Sequence, residues 1–308
     1  MTIKPRRFSL EKSSQTSAES SMEAVAPFEL AALTTGNTHG KVVLCLHGWL
    51  DNAASFVPFF EHLQETNSEL VNDYQFIAID WAGHGLSSHR SSDAYYYFTD
   101  WVDDLYQLIE SQGWQQVILL GHSMGAMVAN LFTAAFPEKV ESLFLIEGIG
   151  LLPLSEHPAK QLRDGILSRR KTRMKSRHQS LESAIQARLN VSDLEYAQAE
   201  LLTKRSMKQS DHDKDDYQWL SDPRVRNTSV IRYSQAEVDQ IIANIECPVT
   251  VFYGDKGFES VQKGLSHWQS TYKQLQSYKL TGGHHVHMQD VASLARHLTS
   301  HLPATSQS

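Results

Sequence analysis

The stretch Val117–Ala126, Val-Ile-Leu-Leu-Gly-His-Ser-Met-Gly-Ala, constrains this chain more than any other. An apolar run with β-branched members reads as a buried strand, and Gly121-His122-Ser123-Met124-Gly125 fits the G-x-S-x-G pattern of a sharp strand-to-helix turn. A side chain at either glycine would collide with the neighbouring strand or helix. Ser123 takes strained backbone geometry that leaves its hydroxyl standing clear of the sheet. The same five letters also describe an inert glycine-serine turn, but the context argues against that reading. A strand precedes, and Met127, Val128, Leu131, Phe132 and Ala135 mark an apolar helix that Pro137 closes.

The alternation of strand and helix extends through the first half of the chain. A weak strand signal over residues 28–35 is followed by a strong one over 41–46, which runs straight into His47-Gly48-Trp49-Leu50-Asp51-Asn52. Ser55 is placed to cap the next helix, whose Phe56, Phe59, Phe60 and Leu63 recur at i, i+3, i+4 and i+7 on one buried face. A strand over 76–79 ends in the glycine-broken loop Asp80–Ser87. A helix then opens at Thr99 or Asp100 and stops at Gly113, and after the Ser123 turn a strand over 143–146 leads into Glu147-Gly148. This spacing predicts an α/β fold: a mainly parallel, doubly wound sheet with helices on both faces and its sites at the carboxyl ends of the strands.

From about residue 151 to 234 the rhythm changes to helical patterns alone, with Ser192-x-x-Glu195 as a capping box, and the segment reads as an inserted helical cap. The strand pattern resumes at Pro248–Gly254. Residues 278–281 offer a last short strand, Gly282–His287 a loop, and Asp290 a cap for the closing helix. The expected division is therefore a core of 26–150 and 235–303, a helical cap of 151–234, and a disordered tail over 1–25, where apolar periodicity is nearly absent.

Composition limits the partners. With 41% hydrophobic residues in 308 the chain has enough apolar material for a sizeable core, and a formal net charge of -7 argues against a nucleic-acid binder. No apolar run approaches the roughly 18 residues of a membrane span. Cys45 and Cys247 sit in or beside strand-like segments without metal spacing, which points to reduced core thiols and a cytoplasmic location. The basic run Arg169, Arg170, Lys171, Arg173, Lys175 and Arg177 reads as a solvated flank, balanced by Asp211, Asp213, Asp215 and Asp216. Oligomeric state leaves no mark in the sequence.

A serine hydroxyl is a poor nucleophile at neutral pH and needs a base, which in turn needs a carboxylate to orient it. His284 follows two glycines after the terminal strand and is the expected base, with His285 and His287 as alternatives. Glu147, at the end of the strand after the Ser123 helix, is the expected acid, and Asp255 and Glu259 are the alternatives. The backbone N–H groups of Trp49 and Met124 are placed as an oxyanion hole. His47, Gly48, Trp81 and His122 are expected to line the substrate pocket. No metal or other cofactor is implied, because no ligand motif completes a site around the three histidines.

Together, His47–Asn52, Asp80–His89, Gly121–Gly125 and Gly283–Met288 resemble the α/β-hydrolase superfamily, and most closely its serine hydrolase-like subgroup, over roughly residues 28 to 301. The resemblance implies an α/β-hydrolase fold and a small-molecule substrate. It also carries a departure: many members have Gly-Asp-x-Asp with the second Asp as catalytic acid, and here Gly257 stands at that position. That supports an acid relocated to Glu147, as in haloalkane dehalogenase-like relatives, whose nucleophile is Asp. Ser123 points instead to acyl transfer to water: a serine hydrolase cleaving carboxylic esters through an acyl-enzyme. The alternatives are a ligand-binding protein on a hydrolase fold, which an imidazole out of reach of any carboxylate would favour, and a cofactor-free perhydrolase or C–C bond hydrolase.

Overall fold

The computed structural model describes residues 2–10, 27–66, 69–154, 157–171, 173–210 and 216–304. Its centre is an eight-stranded sheet of β1 (Lys4–Leu10), β2 (Phe28–Gly36), β3 (Lys41–Leu46), β4 (Tyr74–Ile79), β5 (Val117–His122), β6 (Val140–Ile146), β10 (Val249–Gly254) and β11 (Leu275–Leu280). The spatial order is β1-β2-β4-β3-β5-β6-β10-β11. The pairs β1/β2 and β2/β4 are antiparallel and the rest parallel. This is the mainly parallel, doubly wound arrangement that the alternation implies.

The central strands are apolar on both faces because helices cover both. Along β3, Val42, Leu44 and Leu46 pack on one side with Trp101, Leu105, Phe132 and Val238. Val43 and Cys45 pack on the other with Phe56, Phe59, Phe60, Leu63 and Leu294. Cys45 and Cys247 are both free thiols. Among the described residues no helix is long and apolar enough to cross a membrane.

Four expectations need correction. The first ten residues are not all tail: β1 pairs with β2 from Lys4 opposite Thr34 to Leu10 opposite Phe28. It is a charged edge strand in which only Phe8 and Leu10 are buried, so apolar alternation is confined to its last three residues. The rest of the expected tail, residues 11–25, lies outside the described residues. Ser55 does not cap a helix. Asn52 does, accepting from the Ala54 N–H at 2.9 Å, and the Ser55 hydroxyl is buried in the helical turn.

The segment between β6 and β10 is not helical alone. It holds the helices Pro158–Arg169, Leu181–Leu189 and Tyr196–Ser206, and also a small antiparallel sheet of β7 (Arg177–His178), β8 (Met207–Gln209) and β9 (Tyr217–Trp219), in the order β7-β9-β8. Strands of two and three residues are too short to show a period. The capping box falls three residues later than expected, on Glu195 and Gln198. Of the carboxylates expected to balance the basic run, Asp216 lies 3.4 Å from Arg177. Asp211, Asp213 and Asp215 lie outside the described residues.

Candidate active site

The carboxyl ends of β3, β5, β6 and β10 and the loop after β11 converge, and close backbone contacts make the convergence possible. A Cβ on Gly125 would strike the Leu46 carbonyl, so only glycine lets the helix Met124–Ala135 start against the end of β3. Ser123, between β5 and that helix, sits at φ 52° and ψ -113°, and its N–H donates to the Ile146 carbonyl at 2.9 Å. The non-glycine residues with positive φ in the described chain are Leu50, Ser123 and Glu147. All three lie at this sheet edge, where such backbone strain is typical of functional sites.

The Ser123 hydroxyl lies 2.9 Å from His284 Nε2, and His284 Nδ1 lies 3.3 Å from Glu147 Oε2. Glu147 is buried at the end of β6. Its Oε1 accepts the Gly254 N–H at 2.8 Å and its Oε2 the Phe258 N–H at 3.0 Å. The Phe258 ring stacks on His284 with centroids 4.1 Å apart and covers one face of the imidazole.

The alternative acids are elsewhere. Asp255 accepts the Gly282 N–H at 2.8 Å and serves as a loop brace, and Glu259 is exposed and paired with Lys263 at 3.0 Å. The glycine that departs from the family pattern has a physical counterpart here, since a Cβ on Gly257 would collide with the Glu147 carboxylate. The Glu147 carboxylate occupies the space that a side chain at position 257 would take.

The four residues expected to line a pocket do not. His47, Trp81 and His122 have no exposed surface, and Gly48 is buried. His47 is a strut: its Nδ1–H donates to the Gly48 carbonyl at 2.7 Å, its Nε2 accepts the Trp81 N–H at 3.0 Å, and the Trp81 indole donates to its carbonyl at 3.1 Å. Burial lowers its pKa to about 4, so it works as a neutral brace between two loops. His122 donates through Nε2 to the His284 carbonyl at 2.9 Å, and burial, followed by the neighbouring histidines, holds it well below the ordinary imidazole value. The N–H groups of Trp49 and Met124 have no acceptor among the described residues and stand on the two segments flanking Ser123. The Trp49 ring is half exposed and donates to the Val225 carbonyl at 3.1 Å.

What sequence reasoning missed is how tightly the inserted segment is fastened to this edge. Buried Asp80 accepts from Arg205 Nε at 3.0 Å and from the Ala53 N–H at 2.7 Å, and Asn52 donates to the Leu202 carbonyl at 2.8 Å. Asp51 pairs with Arg188. None of these partners is within a hundred residues of the other in the chain except Ala53, so no local spacing announces them.

A family model for the alpha/beta hydrolase fold matches residues 41–291. The chain belongs to that family. This α/β hydrolase is 28% identical over 302 residues to a serine hydrolase-like protein of Danio rerio, a match covering 90% of this chain and 86% of that protein. It is also 28% identical over 268 residues to a serine hydrolase-like protein of Dictyostelium discoideum, covering 82% and 72%. Among solved structures, a hypothetical protein of Pseudomonas aeruginosa PAO1 matches with a TM-score of 0.78 at 33% identity, covering 90% of this chain and 97% of that one. These similarities put it in the serine hydrolase-like subgroup.

Proposed function

We propose that this α/β hydrolase cleaves carboxylic esters or related acyl substrates through an acyl-enzyme on Ser123. The observation that carries the reading is the continuous contact from the Ser123 hydroxyl to His284 Nε2 and from His284 Nδ1 to Glu147. His284 takes the hydroxyl proton as Oγ attacks the carbonyl carbon. Glu147 holds the imidazole in the tautomer with its proton on Nδ1 and stabilises the imidazolium. The N–H groups of Trp49 and Met124 receive the oxyanion. His284 then protonates the leaving alcohol and activates the water that releases the acid. The insertion acts as a cap over the acyl or alcohol group. The ligand-binding alternative needed an imidazole with no carboxylate in reach, and the 3.3 Å contact gives it no support.

Acid quenching during turnover of a p-nitrophenyl ester is expected to trap the acyl group on the peptide that contains Ser123. Turnover with the acyl group found on another residue would reassign the nucleophile. A second prediction concerns the vacated acid position. Gly257→Ala forces the Glu147 carboxylate out of its place, so ester turnover should fall at least tenfold and thermal unfolding should show a loss of roughly 1–3 kcal/mol, the usual cost of overpacking. Wild-type turnover in Gly257→Ala would mean that His284 does not depend on Glu147.

A further inference from the structure

The loop after β11 carries three histidines, and each has a different setting. His284 contacts Ser123. His287 is fully buried against Phe56 and is pushed down to about 3, chiefly by burial, so it stays neutral. His285, buried between them, bridges two carboxylates. Its Nδ1 and its backbone N–H both bind Asp193, the latter at 3.1 Å, and its Nε2 lies 3.4 Å from Asp51 Oδ2.

The two carboxylates come from different parts of the chain. Asp193 stands in the insertion, between the helices Leu181–Leu189 and Tyr196–Ser206, and Asp51 in the core loop after β3. The insertion answers from the other side, where Arg188 pairs with Asp51 and donates to the Leu50 carbonyl at 3.2 Å. Gln289 donates to the Asp193 carbonyl at 2.8 Å and accepts the Gly283 N–H at 2.7 Å, and Gln198 donates to the Met288 carbonyl at 2.7 Å. A Cβ on Gly283 would collide with the Asp193 carboxylate, so the residue before His284 is glycine where Asp193 makes its approach.

We propose that Asp193 and His285 form a positioning clamp, through which seating of the cap on the core fixes the loop that aims His284 at Ser123; this rests on the Ser123–His284 reading above. One peptide bond separates the clamped histidine from the reacting one, so a shift of His285 is passed directly to His284. A displacement of about 1 Å at such a site is enough to cost roughly a hundredfold in rate. Closing of the cap and alignment of the base thus become one event, and the hydroxyl is activated only while the cap is seated.

The clamp has a pH signature. Burial by itself would lower the pKa of His285, but Asp51 and Asp193 together outweigh it and raise the group to about 9. The other groups facing it are Arg188, across Asp51, and the rings of His122, His284 and His287, with centroids 5.3, 5.4 and 6.2 Å away. His122 and His287 are held neutral by burial. A folded pKa above the ordinary 6.5 means that the imidazolium is fully present below that value and is lost as pH rises through about 9. Removing one carboxylate brings that loss to lower pH.

The test uses the full chain, wild type and Asp193→Asn, with two readouts across a pH range spanning 9. One is the second-order rate of labelling by a fluorophosphonate probe, the other the kcat and KM for p-nitrophenyl acetate. At neutral pH the variant is expected to lose roughly ten- to a hundredfold in kcat and in labelling rate, with KM within about twofold. Its alkaline limb should move to lower pH, and Asp193→Glu should recover part of the loss. Superimposable kcat and labelling profiles, whatever the change in melting temperature, would overturn the clamp and leave the Ser123 reading intact. A wild type that the probe does not label at all would overturn both. If Asp193→Asn does not fold, His285→Gln, which removes the ring that Asp193 and Asp51 hold, is measured in the same way: loss of labelling rate at unchanged KM supports the clamp, and wild-type values overturn it.

Discussion

Ser123→Ala is expected to lower turnover of p-nitrophenyl esters by roughly 10⁵- to 10⁶-fold, the scale on which removal of a serine nucleophile acts when base and acid are left idle. The expectation follows from the contact of the Ser123 hydroxyl with His284 Nε2 at 2.9 Å, which places a base to take the proton of that one alcohol. The fold should be untouched. Ser123 reaches its positive φ through its backbone N–H to the Ile146 carbonyl, and alanine keeps that bond. Steady-state rates of the purified variant, with circular dichroism to verify folding, check the prediction. A residual rate within tenfold of wild type would remove Ser123 from the reaction.

Glu147→Gln should cost roughly 10³- to 10⁴-fold, as for triads whose orienting carboxylate becomes an amide that favours the wrong tautomer. Asp255→Asn should change turnover by less than about twofold, in line with the roughly 0.5 kcal/mol effects typical of surface positions. The ranking rests on contacts: Glu147 meets His284, whereas Asp255 braces the Gly282 N–H. Paired kcat/KM measurements decide it, and the reverse order would make Asp255 the acid.

The parts of this molecule that were readable in the sequence are those where one residue type is forced by local geometry. Gly121 and Gly125 around Ser123 mark a turn that no other residue allows, and Gly257 marks the place where the usual acid is missing. Long apolar runs such as β5 announce themselves because both faces are buried. The unreadable parts are those decided by long-range contact. β1 is a charged edge strand whose pairing with β2 follows from proximity, and Lys4, Pro5, Arg6 and Arg7 are all exposed. His47, Trp81 and His122 sit next to the site in sequence, yet they brace it from behind. Asp193 has no neighbour in sequence that hints at a histidine 92 positions away.

In the proposed reaction a single serine hydroxyl is made nucleophilic by the imidazole beside it. Treating wild type and Ser123→Ala with a fluorophosphonate probe, then mapping the modified peptide by mass spectrometry, tests whether that hydroxyl is the nucleophile. One adduct, on Ser123, is expected in the wild type and none in the variant. Equal labelling of both proteins, or an adduct confined to a different residue, would contradict it.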